Sequence, residues 1–132
     1  MRFRTPEAIE FEIPDEWWNF AGMSKFSPTA GGFYVFPFQL AGEVEVVSVS
    51  EVEPPRRNAG VEGLKKHKLM PVLFALVDPE GVLPPVPVAE NEVGSRYRFR
   101  ALDGYHRYYA SVAVGYTKLP VIIRKQVRED GL

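Results

Sequence analysis

The chain contains no cysteine, and its 132 residues include only two histidines, His67 and His106. Disulfide frameworks, thiolate zinc sites and cysteine nucleophiles are therefore excluded, as are metal centres built from several imidazoles. No run of about 18 apolar residues occurs, so no membrane-spanning helix and no membrane partner are expected. The opening Met1-Arg2-Phe3-Arg4-Thr5-Pro6 lacks the apolar stretch of a secretory signal, and with cysteine absent the expected location is the cytoplasm. Charge of one sign is lacking too. Sixteen Lys+Arg against seventeen Asp+Glu leave a formal net charge of -1, so no global field draws DNA or anionic lipid to this chain. Nucleic acid stays open as a partner only through a local basic patch.

The composition is 45% hydrophobic and 25% charged, which fits a globular domain and not a disordered chain. At about 150 residues per domain, the length predicts one. Twelve prolines and eleven glycines favour short strands and turns over long helices. Aromatic residues crowd the first forty positions, and Trp17 and Trp18 are expected to fill core. Residues 33–38 read as a strand after a Gly31-Gly32 turn, kept near a sheet edge by Pro37. Residues 44–49 alternate as a half-buried strand. Residues 61–68 then read as a short helix capped by Asn58 or Gly60. The apolar run 69–77 leans towards helix, and residues 86–89 form a short strand.

The last third is more regular. Residues 97–102 alternate apolar and basic, which predicts a strand with Tyr97, Phe99 and Ala101 facing inward. After Asp103-Gly104 the apolar period changes to 3.6, with Tyr105, Tyr108, Tyr109 and Val112 on one face of a helix over 105–114. Gly115 suits a left-handed C-terminal cap, and residues 119–124 read as the next strand.

The junction between strand and helix carries the chemistry. The first turn of a helix leaves backbone N–H groups unpaired, and with the helix dipole they favour an anion; a glycine lets that anion approach closely. Here the junction reads Asp103-Gly104-Tyr105-His106-Arg107. Arg107 offers a planar fork of donors for phosphate. His106 can donate to phosphate or act as acid or base near neutral pH. Asp103 can cap the helix, or hold a hydroxyl, an arginine or a metal-bound water. Bland roles compete at each position: a turn glycine, a surface salt bridge, a structural histidine.

The run 101–111, Ala-Leu-Asp-Gly-Tyr-His-Arg-Tyr-Tyr-Ala-Ser, followed by Gly115 and Leu119-Pro120-Val121, resembles the signature of the ParB/sulfiredoxin-like superfamily. Upstream, residues 47–57, ending in Pro54-Pro55-Arg56-Arg57, look like its entry strand and following loop. The resemblance covers residues 44–124. It implies an α/β (α+β) fold: one compact domain, a small mixed sheet with short helices. It leaves residues 1–43 as an aromatic-rich extension packed on the same domain and 125–132 as a polar tail. It also implies a nucleotide held by its phosphates at the helix start, CTP in ParB-like relatives and an adenine nucleotide (ATP or ADP) in sulfiredoxin and certain free-serine kinases, with Mg²⁺ as its companion. Carried onto this chain, Gly104, Tyr105, His106 and Arg107 cradle phosphate, Tyr108 flanks it, and Arg56 and Arg57 face the same pocket.

Two departures narrow this. Sulfiredoxin needs a cysteine just before the His-Arg pair, where this chain has Tyr105. A partition protein of the usual form needs further DNA-binding and dimerisation segments for which 132 residues leave no room. The leading expectation is therefore a nucleotide or phosphorylated ligand bound at Gly104–Arg107, in a nucleotide-dependent switch or an enzyme of phosphoryl transfer or phosphodiester hydrolysis with His106 and Asp103 as catalytic groups. The alternatives are a nucleic-acid-binding regulator or ParB-like nuclease, using Arg56, Arg57 and Lys65-Lys66-His67-Lys68, and an interaction module without a ligand. Alternating Glu43, Glu45, Glu51 and Glu53 read as a solvated face before a Mg²⁺ site, and Arg98 with Arg100 as a sheet edge or second phosphate grip. No dedicated metal site and no oligomeric state are assigned.

Overall fold

The computed structural model of the protein describes residues 1–28 and 32–125. The chain begins with a hairpin of β1 (Arg2–Arg4) and β2 (Glu10–Glu12), antiparallel with Phe3 opposite Phe11. Helix α1 (Asp15–Phe20) follows. The main sheet has five strands: β3 (Glu45–Ser48), β4 (Val52–Glu53), β5 (Val86–Glu90), β6 (Phe99–Ala101) and β7 (Lys118–Ile123). Their order is β3-β7-β5-β6-β4. The pairs β3–β7 and β5–β6 are antiparallel, while β5–β7 and β4–β6 are parallel. Helices α2 (Lys66–Val77) and α3 (Tyr105–Ala113) pack on one another, and β1 lies against α3. This is the small mixed α/β domain expected.

Sequence accounts for the central elements. Val86, Val88, Phe99, Leu119 and Val121 are completely buried, and they come from the three inner strands, where both faces need cover. The 3.6 period of α3 puts Tyr108 and Tyr109 into the core with Ala110 and Ser111. Its end is a Schellman cap. Gly115, at φ 90°, donates to the Val112 carbonyl (3.1 Å) and Tyr116 to that of Ser111 (3.0 Å), which satisfies carbonyls that a helix terminus leaves open.

Three expectations are corrected. Residues 33–37 make no strand, and Phe38–Leu40 is a 3₁₀ turn. Single bonds hold this segment, among them Leu83 N–H to the Val35 carbonyl at 2.9 Å. Pro37, Pro84 and Pro85 lack the N–H groups a ladder needs. Its aromatic residues act singly instead: Tyr34 is buried, and Phe33 and Phe36 stack with centroids 6.4 Å apart. Secondly, helix α2 starts at Lys66 with Lys65 as its N-terminal cap residue, so residues 61–65 are a loop and neither Asn58 nor Gly60 caps it. Gly60 turns left-handed (φ 82°), and the loop passes over α3, where a side chain at Gly63 would sit 2.9 Å from the Tyr105 hydroxyl. Pro71 is tolerated inside α2 on its exposed side. Thirdly, the strand expected over 97–102 shortens to Phe99–Ala101, with Phe99 its fully buried residue. Gly31 of the expected turn and residues 126–132 of the expected tail lie outside the described residues.

Phe99→Ala removes a ring from the middle of the sheet and should cost about 3–5 kcal/mol. Denaturant titration of the variant checks this; a loss below 1 kcal/mol would show that the core is not centred there.

Candidate functional site

Strand β6 ends at Ala101, and α3 begins at Tyr105, so the chain must reverse within three residues. Gly104 makes the reversal at φ 90°, in the left-handed region. A methyl group placed on it would meet both Val86 methyls at 3.1 Å and Arg107 Nη2 at 3.2 Å. Backbone conformation and space therefore both demand glycine. Asp103 turns back on this corner, its Oδ1 accepting the Gly104 N–H at 2.7 Å. The helix has no side-chain cap, so the N-terminal capping role considered for Asp103 is not the one it plays. The N–H groups of Tyr105, His106 and Arg107 have no intrahelical acceptor, as in any first turn.

Above this turn opens a cavity of about 430 Å³. Its lining brings together Asp103, Gly104, Tyr105, His106 and Arg107 with Arg56, Arg57 and Lys68. Four cationic side chains thus face one carboxylate around the open end of a helix. The Arg57 guanidinium lies over the Tyr105 ring, 4.3 Å from its centroid, and its Nε is buried without a hydrogen-bond partner. Arg107 Nη1 donates to the carbonyls of Pro84 (3.1 Å) and Pro85 (3.3 Å). Tyr34 donates to the same Pro84 carbonyl at 2.7 Å. Arg107 therefore holds the cavity wall as well as charging it.

His106 differs from expectation. It is buried, and its Nε2 accepts the Lys65 N–H at 3.0 Å. Burial first, and then the positive charges of Arg57, Lys68, His67 and Lys65, lower its pKa from 6.5 to about 4. The ring is neutral at pH 7, with Nε2 committed to the start of α2. Its Nε2 ties two helices and is thereby occupied as an acceptor, while the ring lines the cavity. Two of the cations that depress this imidazole, Arg57 and Lys68, also line the cavity, where they favour an anion.

Tyr108 is also corrected. It is completely buried and absent from the cavity lining, because its position in α3 points to the core. Lys68 joins the site once α2 is placed, whereas Lys65-Lys66-His67-Lys68 alone reads as an exposed helix face. Leu83 and Pro84, on the opposite wall, carry no chemical signal in the sequence. Glu45 and Glu51 each approach Arg98 at 4.0 Å. Among the described residues, no cluster of three or more His, Asp or Glu is placed to hold a metal ion.

No family model and no curated protein matches the chain. Among solved structures it is similar to the C-terminally truncated chromosome-partitioning protein ParB from Caulobacter crescentus complexed with CTP-gamma-S, at 17% identity and a TM-score of 0.46. The match covers 64% of this chain and 45% of that one. At that TM-score the likeness carries no argument, and the reading of the corner rests on its own geometry.

Two outcomes follow. Gly104→Ala should destabilise by about 1–3 kcal/mol, the cost of a strained backbone, read as a lower melting temperature. The His106 imidazole titrates near 6.5 once unfolded and near 4 when folded. Between those values the unfolded chain binds more protons, so its contribution is complete above pH 6.5 and is lost as pH falls towards 4. His106→Ala should cost about 1–3 kcal/mol at pH 7.5, since the Lys65 N–H loses its acceptor, and should flatten the decline in melting temperature from pH 6.5 to 4. An unchanged slope would remove His106 as its source.

Proposed function

We propose that the chain binds a phosphorylated ligand of nucleotide type, its phosphates seated on the first-turn amides of α3 at Gly104–Arg107. One observation carries this reading: the open helix start and four cationic side chains line the same cavity, with Asp103 their single acidic neighbour. Backbone N–H groups at a helix start fit a phosphate oxygen, and the dipole adds to the attraction. Gly104 keeps the approach clear of a side chain. Arg57 brings an unpaired donor, and Arg56 and Lys68 supply charge from the two flanking segments.

The same geometry favours binding over turnover. His106 is neutral and engaged with Lys65, and Asp103 is occupied in part by the Gly104 N–H. A nucleotide held here would bridge the loop of residues 55–57, the start of α2 and the β6–α3 corner. Occupancy then adds a further link between three segments already in contact through Lys65–His106, Arg57–Tyr105 and Tyr109–Pro55, as a ligand-dependent switch requires. Mg²⁺ would arrive with the phosphates, its charge shared between them and Asp103.

Thermal shift with CTP, ATP, ADP and GTP, each with and without Mg²⁺, tests the reading. A ligand present at 100 times its Kd adds about 2.7 kcal/mol of stability. Arg56→Ala and Lys68→Ala should each weaken binding about 5-fold to 10-fold, as expected for one charge-assisted contact, without lowering the melting temperature of the free protein. If no nucleotide raises the melting temperature, the reading fails. If duplex DNA binds instead, with affinity falling steeply as salt rises, the regulator alternative replaces it.

A further inference from the structure

Next to the cationic cavity lies a second hollow of about 500 Å³. The two are adjacent and share walls, since Pro55, Arg56, Arg57 and Tyr105 line both. Beyond those shared residues the character changes. The cationic side is bounded by α2 and the β6–α3 corner, whereas the second hollow is closed by Ile9 and Phe11 of the N-terminal hairpin and by Tyr109 of α3.

The aromatic side chains here form a row. Trp18 packs on Phe3 (5.1 Å between centroids), Phe3 on Phe11 (5.5 Å), Phe11 on Tyr109 (4.9 Å) and Tyr109 on Tyr105 (4.7 Å), and the Arg57 guanidinium lies on Tyr105. Both ends of the wall are fixed. The Tyr109 hydroxyl donates to the Pro55 carbonyl at 2.7 Å, and Glu7 in the hairpin loop pairs with Arg96. Burial pushes the Tyr109 hydroxyl up to about 12, so it brings no negative charge. The Glu10 carboxylate on the rim is paired with Arg4 at 3.1 Å. Ile9 keeps 36% of its surface exposed on the rim of this hollow.

We infer that the β1–β2 hairpin is a recognition wall for a planar ring, so that the ligand carries a flat aromatic group besides its phosphates, as a nucleotide does, and is not a bare sugar phosphate or a phosphorylated aliphatic chain. This rests on the phosphate seat at Gly104–Arg107. Ring faces and apolar surface prefer a flat partner of low polarity. A sugar phosphate would instead set hydroxyl groups against the apolar faces of Phe11 and Ile9, which offer them no hydrogen-bond partner. Arg57 belongs to both hollows; its guanidinium plane can stack while its N–H edge faces the phosphate side. The hairpin is thus part of the binding site, although it is distant in sequence from every other residue of it.

Calorimetric titration of tripolyphosphate, ribose 5-phosphate, CTP and ATP into the wild-type chain, Phe11→Leu and Ile9→Ser separates the two levels of this reading. The wild type should bind one of the nucleotides at least 10-fold tighter than tripolyphosphate or ribose 5-phosphate. Phe11→Leu should lose about 10-fold for that nucleotide, the effect of removing one stacking face, with tripolyphosphate unchanged. Ile9→Ser, on the exposed rim, should show a smaller loss of the same selectivity and fold normally, which keeps the test open if Phe11→Leu unfolds. Tripolyphosphate or ribose 5-phosphate binding as tightly as the nucleotides, or equal losses for all ligands in the variants, would overturn the hairpin wall and leave the phosphate seat standing. If none of them binds, the seat fails and the wall with it.

Discussion

The crossing of Gly104 between Val86 and Arg107 is the constraint on which the rest of the site depends. A left-handed turn there favours a residue without a Cβ, and two valine methyls and a guanidinium would crowd any side chain at 3.1–3.2 Å. That turn aims the first three amides of α3 at open space. It also fixes where α3 leaves the sheet, and hence where Tyr108 enters the core and where His106 meets Lys65. One backbone conformation serves packing, inter-helix registry and the exposure of donors together.

Electrostatics then separates local from global charge. The chain as a whole is nearly neutral, yet Arg56, Arg57, Lys68 and Arg107 converge on one hollow. Composition averages such a site away. The depressed His106 imidazole reports its burial first and then two of these cations, Arg57 and Lys68, because a dry position and nearby positive charge both select the neutral ring. A partner attracted here meets a strong field at short range and almost none at long range, where the solvent screens it.

Much of the last third was legible because its signals are local. The period change at Asp103-Gly104 marks the strand–helix corner, and Gly115 marks the helix end. Residues 44–49 and 86–89 were found for the same reason, short alternating or branched runs bounded by proline and glycine. Elsewhere the outcome depends on non-local pairing. Residues 33–38 have strand composition but face a proline pair that cannot complete a ladder. Lys65–Lys68 read as the end of a helix over 61–68, yet α2 begins at Lys66 and continues to Val77, after a loop in which Gly60 turns left-handed. His106 has the chemistry of a catalyst, and only the Lys65 N–H at its Nε2 shows that it is a tie. The packing of the N-terminal hairpin on α3 is not legible, since nothing in residues 1–12 names the helix they lie against.

The Pro84-Pro85 segment has one more implication. Proline offers the backbone an acceptor and no donor, so this stretch hangs from donors sent by others: the Tyr34 hydroxyl and Arg107 Nη1 converge on the Pro84 carbonyl, and Nη1 also reaches Pro85. One side of the cationic hollow is held by two side-chain arms and by the Leu83 N–H bond to the Val35 carbonyl, and not by a strand ladder. The aperture is therefore adjustable without disturbing the sheet behind it, and exchanges at Tyr34 or Arg107 would resize the opening while β5, two residues further on, keeps its register.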